Sequence, residues 1–304
     1  MNNFRVLVRE LMPYFLLLFL VFVFFNRLFF PNLSIFVTPD YGQSDLLHGY
    51  YPLKFLLWDS LHQNQIPFWT DKIATGYPIF ADGQIGAFSI INLILFKFLP
   101  FIWAINLTYI TSFFLAGIGS YLLARSWKIN RLASLFSAII FTFSGFNIMQ
   151  ITHISLLQAA SFLPLILWLT ELYIQKTKLK TLLFMALVLS QQIFMGHQQM
   201  TAYTIIIIYL YLFLRLFFIK EKLKKKLIKL FYFIVGISFA VTVALVLAAA
   251  ILLSSYELFK LSVFQGEVDN LSLFPYPPEH FLAFINPFLF GTPQNGSYPL
   301  FSSR

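Results

Sequence analysis

The chain has 304 residues, 59% hydrophobic and only 11% charged, where a soluble domain carries about 25% charged residues; this excludes a water-soluble globular fold. Its net charge of +9 falls in short clusters between apolar runs, with no stacking platform or binding motif beside them, which argues against nucleic acid as a partner. Cysteine is absent, which excludes disulfides and thiolate metal sites.

The composition instead describes an all-α integral membrane protein, because in hydrocarbon every backbone polar group must find its partner within the protein. A crossing helix needs about 20 apolar residues, and residues 11–30 supply the first one. Arg5 and Arg9 stand before it and hold its start on the cytoplasmic side. The junction "FNRLFFPNL" lacks small residues, so it offers no signal-peptide cleavage site. An uncleaved first span follows, and the chain emerges from it on the outer face.

Residues 38–85 then form a first outer loop far longer than an ordinary connection, and such loops are commonly functional. It carries "YYP", "IPFW", "TGYPIF" and "ADGQ", turn chemistry that a plain linker does not need. Within it, "LKFLLWDSLHQ" is expected to form an amphipathic helix at the membrane surface, with Leu53, Leu56, Leu57 and Leu61 on one face. Trp58, Trp69, Tyr50, Tyr51 and Tyr77 suit the headgroup level. Asp40 and Asp45 follow the first span closely; a carboxylate at that boundary is a solvated loop acid, or a group that deprotonates a hydroxyl or holds a cation beside a lipid-borne phosphate. Their spacing of five writes neither a metal pair nor a carboxylate dyad.

Residues 86–103, "GAFSIINLILFKFLPFIW", are apolar but interrupted by Lys97 and Pro100. As a full span they would invert everything downstream and expose "KEKLKKKLIK" outside. A re-entrant or interfacial segment is expected instead.

Six further apolar segments follow, at 105–124, 132–149, 159–174, 181–195, 199–219 and 230–254, making a bundle of about seven spans. Alternating the sides places fifteen of the 21 lysines and arginines inside. The acids of the first loop, Glu257 in the outer C-terminal segment (255–304), and all five histidines fall outside or at outer helix ends. At the tip of one hairpin, "MGHQQMTAY" is a turn reaching water or a contact to sugar or phosphate, since imidazole and amides match hydroxyl patterns; it contains His197 and Gln198. His153 in "ITHISLLQ" reads as a tip residue. Glu257 faces the same cavity as Asp45 or is solvated at headgroup level, and the sequence does not choose.

Six phrases in fixed order, "SDLLHGYYP", "IPFWTDKIATGYP", "ADGQIGAFSIINLI", "FSGFNIMQITH", "MGHQQMTAY" and "SSYELFKLSVF", resemble the YfhO-like family of bacterial membrane proteins, which looks like the GT-C class of glycosyltransferases. The resemblance implies one transmembrane domain over 1–304 in the bacterial cytoplasmic membrane, its active face outward. It implies an enzyme that moves a sugar from a polyprenyl-phosphate carrier to a cell-envelope glycan or lipid acceptor. By motif position the catalytic aspartate is Asp45, with Asp40 as its substitute. Asp82, Gln84, His197 and Gln198 would line the substrate cavity, with Glu257 beside them, and Tyr50 and Tyr51 would stack on the sugar or anchor the loop. Direct displacement with an aspartate base inverts the anomeric centre. The departing phosphate needs cationic stabilisation, for which Lys54, Lys72, Arg27, His197 or a divalent cation are candidates. Family members look longer, so the chain is expected to be incomplete at its C-terminus. A transporter or flippase for a lipid-linked substrate, or a noncatalytic assembly partner, are the rival readings; the first usually brings ionisable groups to mid-membrane and internal repeats, neither of which stands out here.

Overall fold

The computed structural model describes residues 2–37, 44–218, 221–262 and 277–291. Apart from one antiparallel bridge between Thr70 and Tyr77, the regular structure of the described residues is helical. Five stretches among them are long and apolar enough to cross a bilayer. They are Leu7–Phe24 in α1 (Asn2–Phe24), α5 (Phe101–Ser126), Arg131–Thr152, Ile154–Lys176 and α12 (Leu223–Leu247). Between the last two, α10 (Leu179–Phe194) is a shorter apolar helix and α11 (Gln198–Phe218) has 21 residues.

Two of the five stretches are broken, each for a local reason. Arg131–Thr152 consists of α6 (Arg131–Thr142), α7 (Gly145–Met149) and a 3-10 turn. Asn147 Nδ2 donates to the carbonyls of Phe141 (2.9 Å) and Thr142 (3.2 Å) at the end of α6, where the regular i to i+4 partners run out. Ile154–Lys176 divides at Phe162 into α8 (Ile154–Ser161) and α9 (Leu163–Lys176). Pro164, near the start of α9, has no N–H to give to α8 and its ring displaces the carbonyl four residues earlier.

α5 lies at the centre, packed against α1, α6, α8 and α9. Gly119 makes its crossing with α9 possible, since a β-carbon there would collide with the backbone of Leu165; small residues at such crossings let helix axes come close. The buried middle holds Tyr109, Phe113, Ile166 and Leu169, whereas Phe15 and Phe19 of α1 and Phe231 and Val246 of α12 are exposed. Large apolar side chains turned outward on peripheral helices are the surface that lipid covers.

Contacts between helix ends sort the bundle into two ends. At one, Arg131 pairs with Glu10, Trp127 Nε1 donates to Tyr211 Oη (2.9 Å), and Arg215 binds Glu171 through Nε (2.9 Å) and Nη2 (2.5 Å). The basic clusters around residues 125–131 and 176–180 lie here, and we call this the basic end. At the other, the loop end, Asn106 donates to Ser34 O (2.8 Å) and Ser255 Oγ to Ala81 O (2.7 Å). The helices therefore alternate in direction, as expected of a serpentine chain.

The loop end contains α2 (Tyr51–His62), α3 (Ile79–Asp82) and α4 (Ile90–Phe98). α4 has nine residues, a rise of about 14 Å, too short to span. Its N-cap Ser89 accepts from Asn92 N (3.3 Å). α2 differs from the surface helix expected from its leucines. Leu56, Leu57 and Leu61 are buried, packing goes to α4 and α5, and Lys54 on the same helix has no exposed surface at all.

Glu171 is fully buried, and Arg215 supplies its counter-charge. Removing one member strands a buried charge, so Arg215→Ala is expected to cost about 3–5 kcal/mol, whereas replacing both by methionine recovers most of the loss. Thermal unfolding of the three proteins in detergent measures this, and equal losses in the single and double variants would refute it.

Candidate functional site

The polar residues of the loop end are assembled by three backbone features. The first is the segment Leu46–Tyr50, which winds as a π-helix directly into α2; single π turns inside helices recur at functional sites. It begins at Asp45, whose Oδ2 lies 3.2 Å from His153 Nε2, while His153 Nδ1 sits 2.9 Å from Thr152 Oγ1. Ser155 Oγ donates to Tyr50 Oη at 3.5 Å. The start of α8 and the π segment are thereby joined side by side. Between them and Gln84 opens a cavity of about 310 Å3, lined by Asp45, Gly49, Tyr50, Leu53 and Gln84. Nothing lies within 4 Å of where a β-carbon on Gly49 would stand.

The second feature brings together the two motifs "ADGQ" and "MGHQQ". Gly83 (φ +82°) and Gly196 (φ +80°) meet backbone to backbone, and a β-carbon on Gly196 would overlap the Gly83 carbonyl. Only glycine takes that conformation at that distance without strain. Beside this contact, the Tyr77 hydroxyl and the Gln84 amide donate to Asp82, whose carboxyl is raised above the usual range by burial, against those two bonds. Burial, together with nearby His153, lowers His197, and its Nδ1 is buried without a hydrogen-bond partner.

The third feature is Lys54. Its Nζ donates to Ile85 O (2.9 Å), Gln84 O (3.4 Å) and Gln158 Oε1 (3.5 Å). Gln158 Nε2 passes the chain on to Asn92 Oδ1 (2.7 Å), and Asn92 Nδ2 to Gly86 O (3.1 Å). Every acceptor is neutral, and burial alone holds the ammonium down to about 7. This network pins residues 84–92 to α2 and α8.

The residues expected to form a site are therefore only partly brought together. Asp45, Tyr50 and Gln84 line one cavity, and Asp82 is close enough to act on the ionisation of Tyr50. Tyr51 is turned away: it is buried, its hydroxyl donates to Phe36 O (2.6 Å), and burial pushes it up to about 12. Neither stacking on a ligand nor anchoring at headgroups is open to it. Glu257 lines a different cavity of about 340 Å3 with Phe68, Trp69 and Phe80, where α13 (Ala249–Leu261) packs against α3. Gln198 opens α11 half-buried, and Asp40 lies outside the described residues. Of the cations, Lys54 is engaged inside the protein, Lys72 pairs with Asp59 at 3.4 Å, and Arg27 sits exposed just past α1. His153, which reads in the sequence as a tip residue, stands against Asp45 in the structure; the phrase "FSGFNIMQITH" ends on it. Among the described residues no three His, Asp or Glu side chains converge as metal ligands would; Asp45 and His153 make a set of two.

These features define a multi-pass helical membrane protein whose loop end closes over a small polar cavity. The family model described as Bacterial membrane protein YfhO matches residues 14–302, and the chain belongs to that family. No curated protein and no solved structure matches it.

Lys54 makes stability depend on pH. Because its folded value is about 7 against 10.5 for the free side chain, the unfolded state binds more protons between those limits. Stability therefore rises with pH across that window, by about 1.4 kcal/mol per pH unit, and is independent of this group below it. Unfolding in detergent at about pH 7 and about pH 9 should show this rise in the native protein and its absence in Lys54→Met. Parallel behaviour of the two proteins would refute it.

Proposed function

We propose that the protein is a glycosyltransferase that takes a sugar from a polyprenyl-phosphate carrier and passes it to a cell-envelope glycan or lipid, with Asp45 as general base. The observation that carries this reading is the Asp45 carboxylate at the wall of the 310 Å3 cavity, side by side with His153, at an end of an apolar bundle. Such a place lets a hydrocarbon carrier stay in lipid while its sugar reaches polar groups.

The chemistry balances with the residues at hand. The acceptor hydroxyl gives its proton to Asp45 as its oxygen bonds to the anomeric carbon, and the carbon–oxygen bond to the carrier phosphate breaks. Polyprenyl phosphate leaves with the bonding pair, and the centre inverts. A positioned base is worth about 10²–10⁴-fold. His153 Nε2 donates to Asp45 Oδ2 and leaves the other oxygen for the acceptor. Gln84 and Tyr50 supply hydrogen-bonding groups for sugar hydroxyls. A divalent cation, where one takes part, would have Asp45 and His153 as its nearest ligands and would help carry the phosphate charge.

The same reading includes seven spans, counting α10 and α11, and a re-entrant or interfacial α4. It also puts the basic end in the cytoplasm of a bacterial cell and the loop end outside. The positive-inside rule supports that orientation.

Asp45→Asn should lower transfer from a radiolabelled polyprenyl-phosphate sugar to envelope acceptors by about 10²–10⁴-fold, with expression and membrane insertion unchanged; transfer at the native rate would remove Asp45 from this role. Gly49→Leu, whose β-carbon would meet nothing within 4 Å, should narrow the cavity and reduce transfer while leaving expression and membrane insertion unchanged. The absence of cysteine makes orientation directly measurable. A maleimide that does not cross membranes should label His48→Cys in whole cells and Lys178→Cys only after permeabilisation, and the reverse result would overturn the orientation.

A further inference from the structure

A second cavity, of about 540 Å3, lies at the basic end, away from Asp45. It is walled by the end of α5, the turn that follows it, and residues of α9 and α11. From its charges and shape we infer that it seats one anionic phospholipid, the phosphate on Lys128 and an acyl chain along Leu214 and Phe218.

The charges come first. Glu171, in the wall, is fully buried and receives four donors: Arg215 Nε and Nη2, Tyr211 Oη (2.6 Å) and Gln175 Nε2 (2.8 Å). Its charge and that of Arg215 cancel within the protein. Lys128 is the remaining cation in the lining; it is exposed, and no carboxylate among the described residues lies within ion-pair distance of it. The cavity therefore presents one uncompensated positive charge. Lys128 is also held in the left-handed region (φ +64°), its N–H donating to Arg125 O at 3.0 Å. A non-glycine residue keeps that conformation only where its surroundings fix it, so the ammonium stands on a built turn.

The remaining walls suit the rest of an amphiphile. Leu214 and Phe218 are exposed and apolar. Trp127 and Tyr211 stack at 6.4 Å with the indole N–H on the phenol oxygen, the amphipathic pairing that sits at headgroup depth. Cationic pockets between membrane helices at a basic face recognise anionic headgroups. A free phosphate would leave the apolar wall uncovered, and a zwitterionic lipid would bring its own cation against Lys128.

The test uses the full chain, purified in detergent and offered equimolar phosphatidylglycerol and phosphatidylcholine with identical chains, read by native mass spectrometry. One phosphatidylglycerol should be retained in preference, and Lys128→Asn, which tolerates the left-handed turn, should reduce that preference at least about fivefold, a difference of about 1 kcal/mol. Lys224→Asn, on α12, should leave it unchanged. Leu214→Trp, which fills the groove, should release the lipid independently of charge, so a poorly folding Lys128 variant does not decide the matter. Equal retention of the two lipids, undiminished preference in Lys128→Asn, or displacement by millimolar inorganic phosphate would each overturn the inference, as would a stoichiometric protein partner covering this face instead.

Discussion

A lysine with no exposed surface and, among the described residues, no carboxylate within ion-pair distance is the constraint on which the loop end depends. Lysines are almost never buried unpaired, because the desolvation cost is severe. Lys54 meets that cost with carbonyl and amide oxygens drawn from two separate places, the turn at Gln84 and Ile85 and the middle of α8 at Gln158. A donor whose acceptors come from distant segments dictates where those segments sit. Once Ile85 O is fixed, Gln84 is fixed beside it, and with Gln84 goes one wall of the cavity at Asp45. The lysine acts on the site through geometry, without lining it.

The backbone contact between Gly83 and Gly196 secures the same turn from the opposite side. Two peptide chains approaching without side chains between them form a hinge-free junction. Any added methyl must move one strand of the contact, and packed interiors concede such space reluctantly. The turn at residues 83–86 is thus clamped between a polar anchor on α2 and a steric one at the end of α10. This explains how the turn that follows α3 can hold Gln84, and Asp82 at the end of α3, steady enough to shape a pocket.

What the sequence made legible follows from which forces are one-dimensional. The apolar runs and the alternation of basic clusters are dictated residue by residue by the bilayer, and the structure's two ends follow that alternation from Glu10 with Arg131 through Glu171 with Arg215. The pairing of "ADGQ" with "MGHQQ" was legible only as a grouping of motifs; the two glycines that execute it show their purpose in three dimensions. The pairing of Asp45 with His153 was not legible, since it joins segments far apart in the chain. Tyr51 and Glu257 show the opposite failure. Each stands next to a functional-looking phrase, but a helix turns successive side chains about 100° apart. Tyr50 thereby reaches the cavity while Tyr51 enters the core, and Glu257 is carried by α13 to a different cavity.

The length of α10 connects the fold to the wall of the cavity. Its 16 residues rise about 24 Å, several ångströms less than the roughly 30 Å of a hydrocarbon core. Such a helix is too short to reach from one side of the core to the other when it stands upright. The backbone contact between Gly83 and Gly196 fastens the turn at residues 83–86 to the end of this short helix. Asp82 and Gln84 are carried with Gly83, so the polar wall of the cavity is set against the end of a helix shorter than a hydrocarbon core is thick. A bilayer accommodates a helix this short by thinning locally around it. Under the proposed function, a polar wall held at the end of a short helix is one that a carrier with its phosphate at headgroup depth would reach without leaving the membrane.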